Sequence, residues 1–239
     1  MRAFTSAAVF TLLLVVAAPA GAHELWLDPA AGGGLVLNYG HARDAEEGPR
    51  RIEYRPEWIR EALCVDPGGH AAPVKLEAAY PVRLPGPCAA AYVRISSGYW
   101  TKTPYGTKNE PPAAGDQVVD SWLSFESTKR IERWSPALAE PLASGLELTP
   151  TRDPTELRPG EKLRLLVTLA GKPVAGAVVA YDDSVRGQSD SEGRINVRIR
   201  HRGLQWVTAT LEQPDPSGKA RRIVRTTTLN FVAGKEEQK

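Results

Sequence analysis

The second half of the sequence consists of short runs of alternating apolar and polar residues, separated by turn-forming residues. The strictest run is 195–200, where Ile, Val and Ile alternate with Asn, Arg and Arg. A period of two puts successive side chains on opposite faces of a β-strand. Similar runs predict strands at residues 146–150, 163–169, 177–181, 204–211 and 222–231. Short strands at this spacing, with turns between them, predict an immunoglobulin-like or transthyretin-like β-sandwich.

The first half also predicts strands, and with 20 prolines and 21 glycines the chain is suited to a turn-rich, all-β fold. Strands are expected at 24–29, 35–40, 63–65, 74–78 and 89–95, and an aromatic loop at 97–109. Periodicity leaves residues 118–133 open between strand and helix. We therefore expect an N-terminal β-rich domain at 23–135, a linker rich in alanine and proline at 136–145, a C-terminal sandwich at 146–232 and a disordered tail at 233–239.

The first 22 residues have the three-part layout of a secretory signal. Arg2 precedes an apolar run at 7–18, and the small residues Ala20, Gly21 and Ala22 follow it. The apolar run is shorter than the roughly 20 residues that a membrane-spanning helix needs. We expect cleavage after Ala22 and export, with no membrane insertion of the mature protein.

Cleavage after Ala22 would make His23 the first residue. Its α-amine, with a pKa of about 7.7–8.0, and its imidazole, with a pKa of about 6.5, could then chelate one metal ion at neutral pH. His41, just past the second predicted strand, is the candidate for a second imidazole, and Asp44 for a nearby carboxylate. The alternatives are an incidental histidine at the cleavage site and an exposed loop histidine at position 41. His70 and His201 are expected at the surface.

Cys64 and Cys88 are the only cysteines in the chain. In an oxidising compartment such a pair is expected to form a disulfide, whereas a zinc or thiolate–copper site would favour closer spacing. The net charge of +2, with both signs interspersed, gives no electrostatic reason to expect nucleic acid as a partner. The sequence also lacks the common hydrolase, metalloprotease and nucleotide-binding motifs, so we expect a protein that is not an enzyme.

Several segments resemble an exported bacterial family of unknown function. They are the leader followed by His23-Glu24-Leu25-Trp26, and residues 98–103, 107–109 and 145–150. Members of that family are often labelled the periplasmic component of a cobalt or nickel transport system. The resemblance implies a periplasmic, non-catalytic protein that supplies nickel or cobalt to a membrane transporter or an outer-membrane receptor. Because His23 matches the N-terminal motif, the resemblance implies that it is a metal ligand. Copper is a chemical alternative for the metal.

Two other functions are consistent with the same residues. One is an interaction module without metal, whose exposed strand edge or loop docks on a membrane transporter or receptor. The other is a copper-dependent enzyme that cleaves polysaccharides oxidatively, in which an N-terminal histidine would hold copper. In that case Tyr99, Trp100 and Tyr105 would face the substrate, whereas otherwise these aromatics would cover the core.

Overall fold

The computed structural model describes residues 24–41 and 51–234, and it confirms an all-β chain with sandwich-like packing of several sheets. Two short 3-10 turns, Pro56–Trp58 and Pro136–Ala139, are the helical elements of this part of the chain. The strands are β1 (Glu24–Pro29), β2 (Leu35–Gly40), β3 (Ile59–Val65), β4 (Ala71–Pro73), β5 (Arg83–Leu84), β6 (Ala90–Thr103), β7 (Gly106–Lys108), β8 (Asp120–Ile131), β9 (Leu146–Pro150), β10 (Lys162–Leu169), β11 (Lys172–Pro173), β12 (Val178–Tyr181), β13 (Ser184–Gln188), β14 (Arg194–Arg198), β15 (Gly203–Pro214) and β16 (Arg222–Ala233).

These strands form a large central sheet with a smaller sheet on each face. The central sheet has the strand order β13-β12-β15-β16-β8-β6-β3-β4, with β7 beside β6. One outer sheet is β1-β2-β5, and the other is β11-β10-β14 with β9 also paired to β10. Strands β16 and β8 are parallel, whereas the other strand pairs in the described residues are antiparallel.

Two hydrophobic cores lie on opposite faces of the central sheet. On β6, Val93 and Ile95 pack with the leucines of β1 and β2. The neighbouring Ala90 instead belongs to the second core, with Leu148 of β9 and Phe231 of β16. Because successive side chains of a strand point to opposite faces, a single sheet contributes to both cores.

The central sheet contains strands from both sides of the predicted linker at 136–145. Strands β16 and β8 pair from Arg222 opposite Trp122 to Phe231 opposite Ile131. Strands β3 and β6 continue the sheet on the N-terminal side, and β15 and β12 on the C-terminal side. Backbone hydrogen bonds thus connect the two predicted domains, whose division stays a prediction. The predicted signal peptide at 1–22 and residues 235–239 of the predicted tail lie outside the described residues.

Two local predictions differ from the structure, and the structure decides a third that periodicity left open. The strand expected at 74–78 is absent: β4 ends at Pro73, and residues 74–77 are irregular, although the N–H of Val74 still donates to the carbonyl oxygen of Ala62. The loop expected at 97–109 is largely strand, because β6 continues to Thr103 and turns back into β7. The undecided segment 118–133 contains the strand β8.

The predicted disulfide between Cys64 and Cys88 is confirmed. Cys64 lies in β3, opposite Ala91 of β6, and Cys88 lies two residues before β6 begins. The two Cα atoms are 5.4 Å apart, within the range of disulfide-bonded cysteines. The covalent bond therefore joins β3 to the segment that leads into its neighbour β6.

Within residues 24–41 and 51–234, no helix has the length and apolar character needed to cross a membrane.

Candidate metal centre

The hairpin of β1 and β2 leads to the predicted metal ligands at its open end. Leu25, Leu27 and Leu37 of this hairpin are buried against the central sheet. Three glycines at 32–34 connect the two strands with φ angles of +87°, +98° and +78°. Glycine adopts this left-handed region without a Cβ clash, which explains the tight connection.

The strand register fixes what lies together at the open end. Glu24 is directly opposite Gly40, and His41, which is partly buried, follows Gly40 in the chain. His23 and Asp44, the other two predicted ligands, lie outside the described residues. Of the three predicted ligands, the structure thus gives the position of His41. It also gives the position of β1, which begins immediately after His23 in the chain.

Two contacts hold β1 on the central sheet. The guanidinium Nη1 of Arg130, on β8, donates a hydrogen bond of 2.9 Å to the carbonyl oxygen of Leu27. The ring of Trp26 packs edge-on against Trp206 of β15, with centroids 6.0 Å apart. The position of the hairpin is therefore set by strands from both halves of the chain.

Polar contacts also order the side of the hairpin that carries Asp28. Its Oδ2 accepts hydrogen bonds from the indole N–H of Trp26 at 3.0 Å and from the side-chain amide of Asn38 at 3.2 Å. Arg51 donates to the same oxygen at 3.3 Å. Asp28 is thereby engaged by three donors, and it serves as an anchor of the hairpin.

Glu126 of β8 is a buried carboxyl that the sequence analysis did not single out. It is 8 % exposed, and Oε1 accepts a hydrogen bond of 2.6 Å from the hydroxyl of Ser124. Within the described residues, Oε2 has no hydrogen-bond partner. Burial raises the pKa of Glu126 to about 7, although the Ser124 hydrogen bond opposes this shift.

Glu126 lies near the open end of the hairpin. Burial raises the pKa of the Tyr39 phenol, and the negative charge of Glu126 raises it further. Glu126 is therefore close enough to Tyr39 for its charge to act on the phenol, and Tyr39 is the second residue before His41 in the chain. The orientation of Glu126 could not be read from the sequence, because the periodicity of 118–133 did not distinguish strand from helix.

The other two histidines are at the surface, as expected. The imidazole of His70 is in a turn, with its side chain 86 % exposed and its Nδ1 3.4 Å from Asp66. The imidazole of His201 stacks on Tyr181 and lies 3.0 Å from a carboxylate oxygen of Asp182. The geometry gives each of them a local carboxylate partner.

The three aromatic residues of the 97–109 segment do not share one environment. Trp100 stacks on Trp122 of the neighbouring strand, with centroids 6.3 Å apart, and both rings are half-buried. Tyr105 is at the tip of the β6–β7 hairpin and is 87 % exposed. Tyr99 and Trp100 are successive residues of β6 and therefore point to opposite faces of the sheet, so the three aromatics do not form a single flat platform.

The donor chemistry at the hairpin end suits a late divalent metal ion only in part. The imidazole of His41 is an appropriate nitrogen donor for nickel, cobalt or copper. Across residues 24–41 and 51–234, however, no three His, Cys, Asp or Glu residues form a group that could hold a metal ion. A complete ligand set would need donors from outside the described ranges, as the sequence analysis proposes for His23 and Asp44.

Comparison with known proteins gives one match. The model of a family described as a domain of unknown function, DUF4198, matches residues 20–213. Neither the curated proteins nor the solved structures include a match to this chain.

Proposed function

The chain belongs to the DUF4198 family of domains of unknown function, and we propose that it is a periplasmic metal-binding protein accessory to a metal uptake system. The metal is nickel or cobalt, with copper as the alternative. The binding site is at the open end of the β1–β2 hairpin. The observation that carries the proposal is the register that puts Glu24 opposite Gly40. Glu24 immediately follows His23 in the chain, and Gly40 immediately precedes His41, so the two predicted imidazole ligands are next to this pair.

Chain connectivity limits the separation of those ligands. Successive Cα atoms are about 3.8 Å apart, and opposite residues of an antiparallel pair are about 4.5–5.5 Å apart. The Cα atoms of residues 23 and 41 are therefore at most about 13 Å apart, and about 5 Å apart if the pairing extends by one residue. In that register the two side chains would share one face, on which two imidazoles can bind one ion.

The chemistry of the mature end supports this site. Cleavage after Ala22 would free the α-amine of His23 beside its own ring, and both groups lose protons readily to a metal ion near neutral pH. His41 would add the third nitrogen, and Asp44, three residues further along the chain, a carboxylate. The Cys64–Cys88 disulfide is consistent with the oxidising compartment in which this processing takes place. The recipient of the metal would be a membrane transporter or an outer-membrane receptor.

Calorimetry on four forms of the protein tests the proposal. Protein that begins at His23 should bind one Ni²⁺, Co²⁺ or Cu²⁺ ion, whereas one additional residue before His23 should weaken binding at least about tenfold because the α-amine is lost. His41→Ala should weaken binding to a similar degree. His70→Ala is the matched control, because that exposed histidine has its own carboxylate partner and should not change the affinity. Equal binding by all forms would overturn the proposed site.

A further inference from the structure

A second candidate site lies on the other face of the central sheet. A cleft of about 260 Å³ opens between the central sheet and the β9–β10 edge. Arg94 of β6, Arg225 of β16 and Phe125 of β8 form one wall, and Leu146 and Leu169 are on the opposite side. The cleft therefore combines two guanidinium groups with apolar walls.

The two arginines are arranged around one aromatic ring. The guanidinium carbon of Arg225 is 5.5 Å from the centroid of Phe125, and that of Arg94 is 6.0 Å from it. Stacking on the ring orients both planar groups and restricts their side chains before any ligand binds. Pre-organised donors lose less conformational entropy on binding.

The charges of the two arginines are only partly balanced. Arg94 pairs with Glu61 at 3.2 Å, and the same carboxylate accepts hydrogen bonds from Ser144. Arg225 donates to the neutral amide oxygen of Gln213 at 2.9 Å, and no carboxylate of the described residues pairs with it. Two positive groups thus face one negative group. Burial lowers the pKa of Arg225, and the nearby charge of Arg94 lowers it further, which means that an added anion would relieve electrostatic strain.

The opposite wall is built close to Arg94. A Cβ atom at Gly145 would lie 2.5 Å from Cδ of Arg94 and 2.2 Å from the hydroxyl oxygen of Tyr92. Glycine at this position lets the start of β9 approach the arginine, which narrows the cleft on its charged side. The apolar side is formed by Phe125 and Leu169, which are half-buried, with the buried Leu146 beneath them.

We propose that this cleft binds a small organic carboxylate, with its carboxyl group on Arg225 and Arg94 and its apolar part against Phe125 and Leu169. A guanidinium group matches a carboxylate through two parallel N–H···O hydrogen bonds. The apolar walls favour an organic acid over inorganic phosphate of similar charge. This site is separate from the metal centre, since it lies on the opposite face of the central sheet and shares none of the metal-site residues.

Calorimetric titration with acetate, butyrate and inorganic phosphate tests the site. Butyrate should bind saturably and about tenfold more tightly than acetate, because each buried methylene adds up to about fourfold. Phosphate should bind more weakly than butyrate. Absence of saturable butyrate binding, or phosphate binding at least as tight, would overturn the proposal of an organic carboxylate.

A matched pair of variants locates the binding. Arg225→Gln should weaken butyrate binding at least about tenfold, because it removes the charged bidentate donor. Arg200→Gln removes the same charge from an exposed position after β14 and should leave the affinity unchanged. Phe125→Leu keeps both arginines but removes the ring that orients them, so it should weaken binding to an intermediate degree. Equal effects of Arg225→Gln and Arg200→Gln would mean that net charge alone attracts the anion, and would overturn the site. Near-UV circular dichroism of each variant checks that the fold is retained.

Discussion

Lys129 and Glu147 form an ion pair in which neither side chain is exposed to solvent, with Nζ 2.7 Å from Oε1. Lys129 is on β8 in the central sheet, and Glu147 is on β9 in the outer sheet. The second carboxylate oxygen accepts hydrogen bonds of 2.9 Å from the backbone N–H groups of Leu142 and Ala143. One carboxylate thus joins two sheets and fixes the end of the segment predicted to be a linker.

Replacing Lys129 should destabilise the protein strongly. Burial lowers the pKa of Lys129, but the adjacent Glu147 carboxylate opposes that shift and favours the charged form. Lys129→Met would leave the buried carboxylate without its counter-charge, and we expect a loss of about 3–5 kcal/mol in the free energy of unfolding. Denaturant unfolding of the purified variant measures this loss.

The control for this effect removes the remaining charge. Lys129→Met combined with Glu147→Gln leaves no buried carboxylate, while the amide oxygen can still accept the backbone hydrogen bonds of Leu142 and Ala143. The double variant should therefore be more stable than Lys129→Met alone. If it were equally unstable or worse, packing rather than the unpaired charge would explain the loss.

Glu126 should make the stability depend on pH in the direction opposite to a salt-bridged carboxylate. Its pKa is raised from 4.5 to about 7 in the folded protein, so its neutral form is favoured by folding. Its contribution is fully present below pH 4.5 and is lost as the pH rises towards 7, and it amounts to about 3 kcal/mol at 1.36 kcal/mol per pKa unit.

Comparison with Glu126→Gln isolates this contribution. The glutamine side chain does not ionise, so the free energy of unfolding of the variant relative to the wild type should increase by about 3 kcal/mol between pH 4.5 and pH 8. Urea unfolding at several pH values measures the difference, in which the contributions of other carboxyl groups cancel. A difference independent of pH would show that folding does not raise the pKa of Glu126.

The Cys64–Cys88 disulfide should contribute measurably to stability. It links residues separated by 24 positions, and a loop of this length corresponds to about 3 kcal/mol in the chain-entropy model. Cys64→Ala together with Cys88→Ala should therefore lower the free energy of unfolding by about this amount. Adding a reductant should destabilise the wild type but leave the double variant unchanged, and equal stability of both proteins without reductant would contradict the prediction.

The bounds of a strand could be predicted from the sequence where the residues of that strand alone determine them. The bounds predicted for β1, β2 and β9 are those observed, because each strand has clear alternation or ends at a glycine or proline. The parallel pairing of β16 with β8 joins segments about a hundred residues apart. No local pattern encodes such a partner, so the shared central sheet was not predicted.

The burial of two charged residues of β8 is not encoded in a local sequence pattern. Lys129 and Glu126 look like solvent-facing positions in a pattern, since charged side chains are rarely buried without a partner. Their burial follows from β8 lying at the middle of the central sheet, between the two outer sheets. For the candidate metal centre, the ligand types were predicted from sequence patterns, whereas the structure added the register of β1 and β2 and the carboxyl of Glu126 near Tyr39.

The closed end of the β1–β2 hairpin provides a last test, because two adjacent glycines there both have a positive φ but differ in their surroundings. Gly33 has a φ of +98° and Gly34 of +78°, so alanine is strained at both, by about 1–2 kcal/mol. A Cβ at Gly33 would meet no atom within 4 Å, whereas one at Gly34 would be 2.4 Å from the carbonyl oxygen of Leu84. We expect Gly34→Ala to cost about 1–3 kcal/mol more than Gly33→Ala, because the hairpin must move away from β5. Denaturant unfolding of the two variants measures the difference, and equal losses would show that β5 does not hold the hairpin at this point.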